Sequence, residues 1–139
     1  MSVVEHLREA APGVLEDEPV VFAYLFGSQA TGQAHPRSDV DVAVMLDETV
    51  PEDERLETSL RLARRLSEAS GLGRIEVVLL NDAPLPLVGR AISTRQVIYS
   101  KDEPARVEFE SRRHREFLDF QIHAEPLARA LLRRAAGER

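Results

Sequence analysis

The stretch Leu25-Phe-Gly-Ser-Gln-Ala-Thr-Gly-Gln-Ala-His-Pro-Arg-Ser-Asp-Val-Asp-Val-Ala-Val44 joins two apolar runs through a polar loop. The first run, Val20–Phe26, is rich in β-branched and aromatic residues and stops at Gly27, which predicts a strand buried on both faces. The second run, Asp39–Leu46, alternates polar and apolar residues at its start and predicts another strand. The polar loop is therefore expected to begin where the first strand ends.

The start of this loop has the features of a phosphate site. Gly27 permits a turn that a side chain would obstruct, and Ser28 is placed to open a short helix whose free amide groups point towards an anion. The hydroxyl of Ser28 can also donate a hydrogen bond to a phosphate oxygen. We therefore expect Gly27 and Ser28 to hold a triphosphate.

Two carboxylates at the start of the second strand predict a metal site. Asp39 and Asp41 are two residues apart, so both should project from the same face of the strand, while Val40 turns into the core. Such a pair suits Mg²⁺, which prefers oxygen ligands, and two ions about 3.5–4 Å apart can clamp the attacking and leaving oxygens of a transfer reaction. The pattern indicates phosphoryl or nucleotidyl transfer.

A third carboxylate is expected from Arg74–Leu80, the third predicted strand. Glu76 stands among apolar neighbours in this run. It is either a further metal and catalytic residue or a solvent-facing position at the strand end.

Helical spacing of apolar residues and capping signals predict the remaining elements. These are helices over Ser2–Leu15, Glu52–Ser70 and Ala105–Ala136, a helix capped by Asp82 that runs to about Arg95, and an edge strand over Gln96–Ser100. In the second helix the repeating apolar residues are Leu56, Leu60, Ala63 and Leu66, and Gly71 should end it. In the last, Pro126 should kink or divide the helix.

Composition limits the protein to one domain of the α/β or α+β class. The chain has 139 residues, of which 43% are hydrophobic and 30% charged, and it contains no cysteine. A thiolate metal site and a cysteine nucleophile are thereby excluded. The net charge of -6 argues against direct nucleic-acid binding. With no signal peptide and no apolar run that could span a membrane, we expect a cytoplasmic protein.

Gly27-Ser28, ten intervening residues and then Asp39-Val-Asp41 resemble the signature of the DNA polymerase β-like nucleotidyltransferase superfamily. The short chain is similar to its minimal branch, called MNT, and the resemblance extends through Ile75–Pro84 and Val97–Asp102. It implies an α+β polymerase β-like fold, with a small mixed sheet flanked by helices and a long C-terminal helix. Residues 1–139 would form one nucleotidyltransferase domain, with a core over 1–102 and a C-terminal helical segment over 103–139.

The same resemblance implies an activity. ATP would be the donor substrate, Mg²⁺ the cofactor, and an acceptor would attack the α-phosphate and release pyrophosphate. Asp39, Asp41 and Glu76 would be the catalytic and metal-binding residues, although the third carboxylate of this family is typically aspartate. Gly27 and Ser28 would bind the nucleotide.

The acceptor is open to three interpretations. The chain leaves no length for an acceptor-binding domain, and the MNT branch is commonly paired with a HEPN protein, an RNase toxin. The resemblance therefore implies an antitoxin that adenylylates a tyrosine of a HEPN toxin. An inactive antitoxin that neutralises its partner by contact is the second hypothesis, which Glu76 favours. A small-molecule enzyme of the aminoglycoside-modifying type is the third.

Other polar and aromatic positions are mostly expected to be structural. Among the histidines, only His35 has a position in the loop from which it could contact a substrate, and Arg37 could meet a phosphate. Tyr24 should be a core residue, and Thr31 and Ser38 should cap or turn the loop. The stripe of aromatic and apolar side chains on the last helix is either core or a partner surface; its members are Phe109, Phe117, Phe120, Leu127 and Leu131.

Overall fold

A computed structural model describes residues 1–32 and 39–137. Within these two ranges, four strands form one mixed sheet in the order β3-β2-β1-β4. They are β1 Val20–Phe26, β2 Val40–Leu46, β3 Ile75–Leu79 and β4 Gln96–Ser100. Strand β1 is antiparallel to both neighbours, whereas β2 and β3 are parallel. The α+β class and the mixed sheet expected from the sequence are thus confirmed.

The helices cover both faces of this sheet. They are α1 Val3–Leu15, α2 Ser28–Thr31, α3 Arg55–Ser70, α4 Leu85–Thr94, α5 Glu103–Asp119 and α6 Glu125–Ala135. A 3-10 turn, Glu52–Glu54, leads into α3, and a π-helical segment, Phe120–Ala124, joins α5 to α6. None of the helices in the described ranges is long and apolar enough to cross a membrane.

The core has two layers because β1 and β2 are buried on both faces. Helices α1 and α3 pack on one face, where Leu25 and Val42 lie in the same apolar cluster as Leu62. Helices α4 and α5 pack on the other, where Tyr24 and Ala43 belong to a second cluster. Tyr24 is fully buried, as expected. This second face also carries the candidate site.

The prediction of which α3 residues face the core is wrong for the first turns of the helix. Leu56 and Leu60 are 72% and 63% exposed. The residues that face the core are instead Thr58, Ser59, Leu62, Leu66 and Ser70. The hydroxyls can be buried because each donates a hydrogen bond to a backbone carbonyl of the preceding turn. Gly71 ends the helix in a left-handed conformation, as predicted.

The cap predicted at Asp82 is also wrong. Its carboxylate accepts hydrogen bonds of 2.7 and 2.8 Å from Arg55 at the start of α3. Helix α4 begins after Pro84, which lies at its N-cap and makes no side-chain capping bond. The contact between Asp82 and Arg55 therefore connects the segment before α4 to the start of α3.

The C-terminal helix is divided close to Pro126, as predicted. Pro126 has no N–H to donate to the carbonyl of Ile122, and its ring would press on that carbonyl. The chain accommodates it with the π segment, in which the N–H of Glu125 reaches back to Phe120. The apolar stripe is divided as well, because Phe109 is buried in the core whereas Leu127 and Leu131 are 61% and 56% exposed.

Candidate active site

The ends of three strands bring the predicted residues together at one end of the sheet. Phe26, the last residue of β1, pairs with Asp41 of β2, and Asp41 pairs with Glu76 of β3. Residues paired across neighbouring strands project from the same face. Asp41 is two residues from Ala43, which belongs to the cluster under α4 and α5. Asp41 and Glu76 therefore lie side by side on that face.

Gly27 follows β1 and lies against Asp41. Its backbone has φ 77° and ψ −151°, a conformation that favours glycine. A Cβ atom at this position would be 3.1 Å from Asp41 Oδ2. The predicted turn at Gly27 is confirmed, and Ser28 begins the single helical turn α2 directly after it. The missing side chain leaves space beside the carboxylate.

Asp39 lies just outside β2, which begins one residue later than predicted. Its Oδ1 atom is 3.8 Å from Nε of Arg74, the residue that precedes β3. The Arg74 side chain is 85% exposed, so this ion pair is weak. Asp39 is nevertheless close enough to Asp41 to influence its ionisation.

The pKa of Asp41 is raised above its ordinary value. Burial is the largest cause, and the negative charges of Glu76 and Asp39 add to it, while the guanidinium of Arg90 acts in the opposite direction. Proton uptake is one way to relieve such crowding, and a cation between the carboxylates is another. The oxygen donors of these three residues match the preference of Mg²⁺.

The side chains do not form a ready-made metal cage. Among residues 1–32 and 39–137, no group of three or more histidine or carboxylate side chains is arranged to hold a metal ion. Glu76 is exposed, whereas Asp39 and Asp41 are partly buried. The structure thus brings Asp41 and Glu76 together as a strand pair, with Asp39 nearby, and leaves Glu76 on the open side of the site.

Three residues from the second half of the chain also reach the site. The guanidinium carbon of Arg90 on α4 is 6.0 Å from the centre of the Phe26 ring. Thr94 Oγ1 accepts a 2.9 Å hydrogen bond from the N–H of Gly27, and Gln96 Nε2 donates a 2.8 Å bond to the carbonyl of Ala30. Sequence reasoning missed all three because no motif or spacing links them to the loop.

Three other loop positions considered in the sequence are His35, Arg37 and Ser38. They lie outside the described residues. Thr31 ends α2, and its hydroxyl donates a 3.3 Å bond to the carbonyl of Ser28. This bond agrees with the turn-forming role expected of Thr31.

Residues 12–104 match the family model described as polymerase beta, nucleotidyltransferase. The chain belongs to this nucleotidyltransferase family. The matched residues include every predicted site position, from Gly27 to Glu76, and the α4–β4 segment that contacts the Gly27 turn. None of the curated proteins compared with this nucleotidyltransferase chain matches it.

Several solved structures share the fold of this nucleotidyltransferase. A chain of a toxin-antitoxin crystal structure with AMP-PNP aligns with a TM-score of 0.68 and 19% identity, covering 93% of this chain and 98% of that one. A chain from a complex of the tri-AMPylated Shewanella oneidensis HEPN toxin with MNT antitoxin aligns with a TM-score of 0.65 and 16% identity, covering 96% and 99%. A chain of the MntA-HepT toxin-antitoxin structure gives a TM-score of 0.62 and 17% identity, covering 95% and 98%.

Proposed function

We propose that this chain transfers AMP from ATP to a tyrosine hydroxyl of a HEPN-type toxin and thereby acts as its antitoxin. The observation that carries the proposal is the position of Gly27 against Asp41, with Glu76 paired to Asp41 across the neighbouring strand. At this end of the sheet, the Gly27 turn would supply the phosphate-binding turn of a nucleotidyltransferase, and the two carboxylates would supply its metal ligands.

Each site residue has a role in this reaction. Gly27 and Ser28 would hold the phosphates of ATP. Asp39, Asp41 and Glu76 would hold two Mg²⁺ ions, which supply positive charge to the phosphates and to the departing pyrophosphate. The half-buried position of Asp41 excludes part of the surrounding water and strengthens its interaction with such charge.

The transfer balances with one bond made and one broken. The tyrosine oxygen forms a bond to the α-phosphorus, and the bond from that phosphorus to the oxygen bridging to the β-phosphate breaks. Pyrophosphate leaves with the electron pair, and the hydroxyl proton passes to the carboxylate of Glu76. Because Glu76 is exposed, it is accessible to a residue presented by another protein.

The choice of a protein acceptor is supported by two features. Glu76, the strand partner of Asp41, is exposed, so a macromolecular surface can approach it. Among the solved structures with this fold is a complex that contains an AMPylated HEPN toxin. The net charge of -6 gives no support to a nucleic-acid acceptor. We place the reaction in the cytoplasm, where ATP is available.

A contact antitoxin without catalysis is the second candidate. It is favoured by the exposure of Glu76 and by the lack of a three-carboxylate cluster within the described ranges. Under this alternative, the chain would neutralise its partner equally well with and without ATP.

Labelling ATP at two positions tests the proposal. The purified chain is incubated with Mg²⁺, the product of the adjacent gene as candidate toxin, and ATP that carries radiolabel on either the α- or the γ-phosphate. Nucleotidyl transfer predicts that the α-label reaches the toxin and the γ-label does not. Asp41→Asn should abolish transfer, and Asp53→Asn, on the exposed 3-10 turn, is the matched control. Transfer of the γ-label would indicate a kinase, and label on an added aminoglycoside would indicate the small-molecule alternative.

A further inference from the structure

The turn after β1 is held at both ends by one short segment, residues 94–96. At the start of the turn, the N–H of Gly27 donates a 2.9 Å hydrogen bond to Thr94 Oγ1. Near its end, the carbonyl of Ala30 accepts a 2.8 Å bond from Gln96 Nε2. The two contacts join positions separated by 67 and 66 residues in the sequence. Residues 94–96 therefore form a clamp on the turn, which we call the 94–96 clamp.

The Thr94 contact has a fixed direction. A threonine hydroxyl has one hydrogen, and Thr94 donates it to the carbonyl of Arg90 at 2.9 Å. The oxygen is thereby oriented to accept from Gly27. Ser93 makes the same type of bond to its own helix, at 2.7 Å to the carbonyl of Gly89. The Thr94 hydroxyl therefore accepts a bond from Gly27, whereas the Ser93 hydroxyl bonds within its own helix.

The Gln96 contact is fixed by the sheet. Gln96 begins β4 and pairs with Leu25 in β1, two residues before Gly27. The strand pairing places its side chain next to the chain that leaves β1. Its amide group then reaches the carbonyl of Ala30 in α2, so that β4 supports the turn from the side opposite to β2.

The position of the turn matters because its gap to Asp41 is narrow. A Cβ on Gly27 would be 3.1 Å from Asp41 Oδ2, so a small shift of the turn changes the space beside this carboxylate. Misplacement of reacting groups by about 1 Å can cost as much as 10²-fold in rate. The turn also keeps Gly27 at φ 77°, and its hydrogen bond to Thr94 helps to hold that conformation.

We propose that Thr94 and Gln96 are positioning residues, which set the distance between the Gly27–Ala30 turn and the Asp41 carboxylate during nucleotidyl transfer. This inference rests on the proposed function. Both side chains bond to the backbone of the turn. Through the bond from Thr94 to the carbonyl of Arg90, the turn is also linked to the α4 residue whose guanidinium lies over the Phe26 ring.

The first test compares Thr94→Val, which has the same shape without the hydroxyl, with Thr94→Ser, which keeps it. We expect Thr94→Val to lower kcat for AMP transfer by about tenfold or more, with KM for ATP changed by less than about threefold, because the phosphates still bind but are misaligned. Thr94→Ser should restore kcat to within about twofold of wild type. Ser93→Ala, the matched control, should leave kcat unchanged.

The second test replaces Gln96 with methionine, which has a similar length and no donor. Gln96→Met should also lower kcat. In both Thr94→Val and Gln96→Met, the Gly27–Ala30 amides should exchange with deuterium faster than in wild type, while the β2 amides stay protected. Equal kcat in wild type and both variants would overturn the inference, as would an equal loss in Thr94→Ser and Thr94→Val. If wild-type protein binds no ATP with Mg²⁺ in a calorimeter, the proposed function fails, and the inference fails with it.

Discussion

Tyr24 donates a 2.7 Å hydrogen bond from its phenol oxygen to Glu110 Oε2, in the interior between β1 and α5. Glu110 also pairs with Arg95 at 3.1 Å and with Arg106 at 2.7 Å. Burial and the Glu110 carboxylate raise the pKa of Tyr24, so the phenol stays protonated and remains a donor. This buried network connects α5 to β1, the strand that leads into the candidate active site.

Removing the phenol oxygen should weaken the fold. Tyr24→Phe removes one of the three donors that Glu110 has among the described residues. We expect the free energy of unfolding in urea to fall by about 1–2 kcal/mol. Tyr99→Phe is the matched control, because Tyr99 is only partly buried on the edge strand β4. The control should change the free energy of unfolding by less than about 0.5 kcal/mol. An equal effect of both substitutions would contradict the role of the Glu110 bond.

Close packing of α5 on α4 depends on Gly89. A Cβ there would be 2.2 Å from two atoms of the Phe117 ring, so the ring and α5 must shift. Gly89→Ala should lower the free energy of unfolding by about 1–3 kcal/mol, despite the better helix propensity of alanine. Gly13→Ala, on the exposed face of α1 where an added Cβ would meet no atom within 4 Å, should instead raise it by up to about 1 kcal/mol. A stabilising Gly89→Ala would show that Phe117 does not pack on this residue.

Acid should weaken the fold through Glu18. This carboxylate is 7% exposed, and hydrogen bonds from Arg61 and Arg65 hold its pKa below the ordinary value of 4.5, although burial opposes them. A lowered pKa gives stability that is present above 4.5 and is lost as the pH falls through the value in the folded protein. Glu18→Gln should therefore cost about 2–3 kcal/mol at pH 7, and the difference from wild type should shrink below pH 4.5.

The control for this pH dependence is Asp17→Asn. Asp17 contacts the same Arg65, but its side chain is 71% exposed. We expect an effect below about 0.5 kcal/mol at pH 7. A Glu18→Gln deficit that stays constant from pH 7 to the acid range would contradict the assigned ionic contribution.

The ionised carboxylate of Asp41 should lower the free energy of unfolding of the metal-free protein. Its raised pKa means that the folded state favours the protonated form, so stability declines as the pH rises from the ordinary value of 3.8 through the raised one. Asp41→Asn removes this cost. We expect its melting temperature in chelator at pH 7 to exceed that of wild type by on the order of 2–4 °C, a modest gain because solvent screens this half-exposed group. The gain should vanish at acid pH, and a less stable variant at pH 7 would contradict the interpretation.

The positions of the elements could be predicted where local signals are strong. The run Val20–Phe26 that stops at Gly27, and the glycine at residue 71, mark a strand and a helix end because backbone geometry there depends on a few neighbouring residues. The positions of Gly27 directly after one strand and of Asp41 early in the next could also be predicted. These features needed no information about distant contacts.

Other features depended on tertiary contacts that the sequence does not display. Periodicity assigned Leu56 and Leu60 to the buried face of α3. That face instead carries serine and threonine residues, whose hydroxyls donate hydrogen bonds to the helix backbone. Asp82 has a side chain that is typical of a helix cap, but its carboxylate accepts hydrogen bonds from Arg55 instead. Thr94 and Gln96 reach the Gly27 turn only because α4 and β4 pack against β1.

AMP transfer to a tyrosine of the partner can be tested on the partner itself. The mass of the adjacent gene's product, the candidate toxin, is measured after expression with the wild-type chain or with Asp41→Asn, and fragmentation then locates any modified residue. We predict that the toxin from wild-type cells carries one or more AMP groups on tyrosine and that the toxin expressed with Asp41→Asn carries none. A toxin that the wild-type chain neutralises without modifying it would contradict AMP transfer as the means of neutralisation.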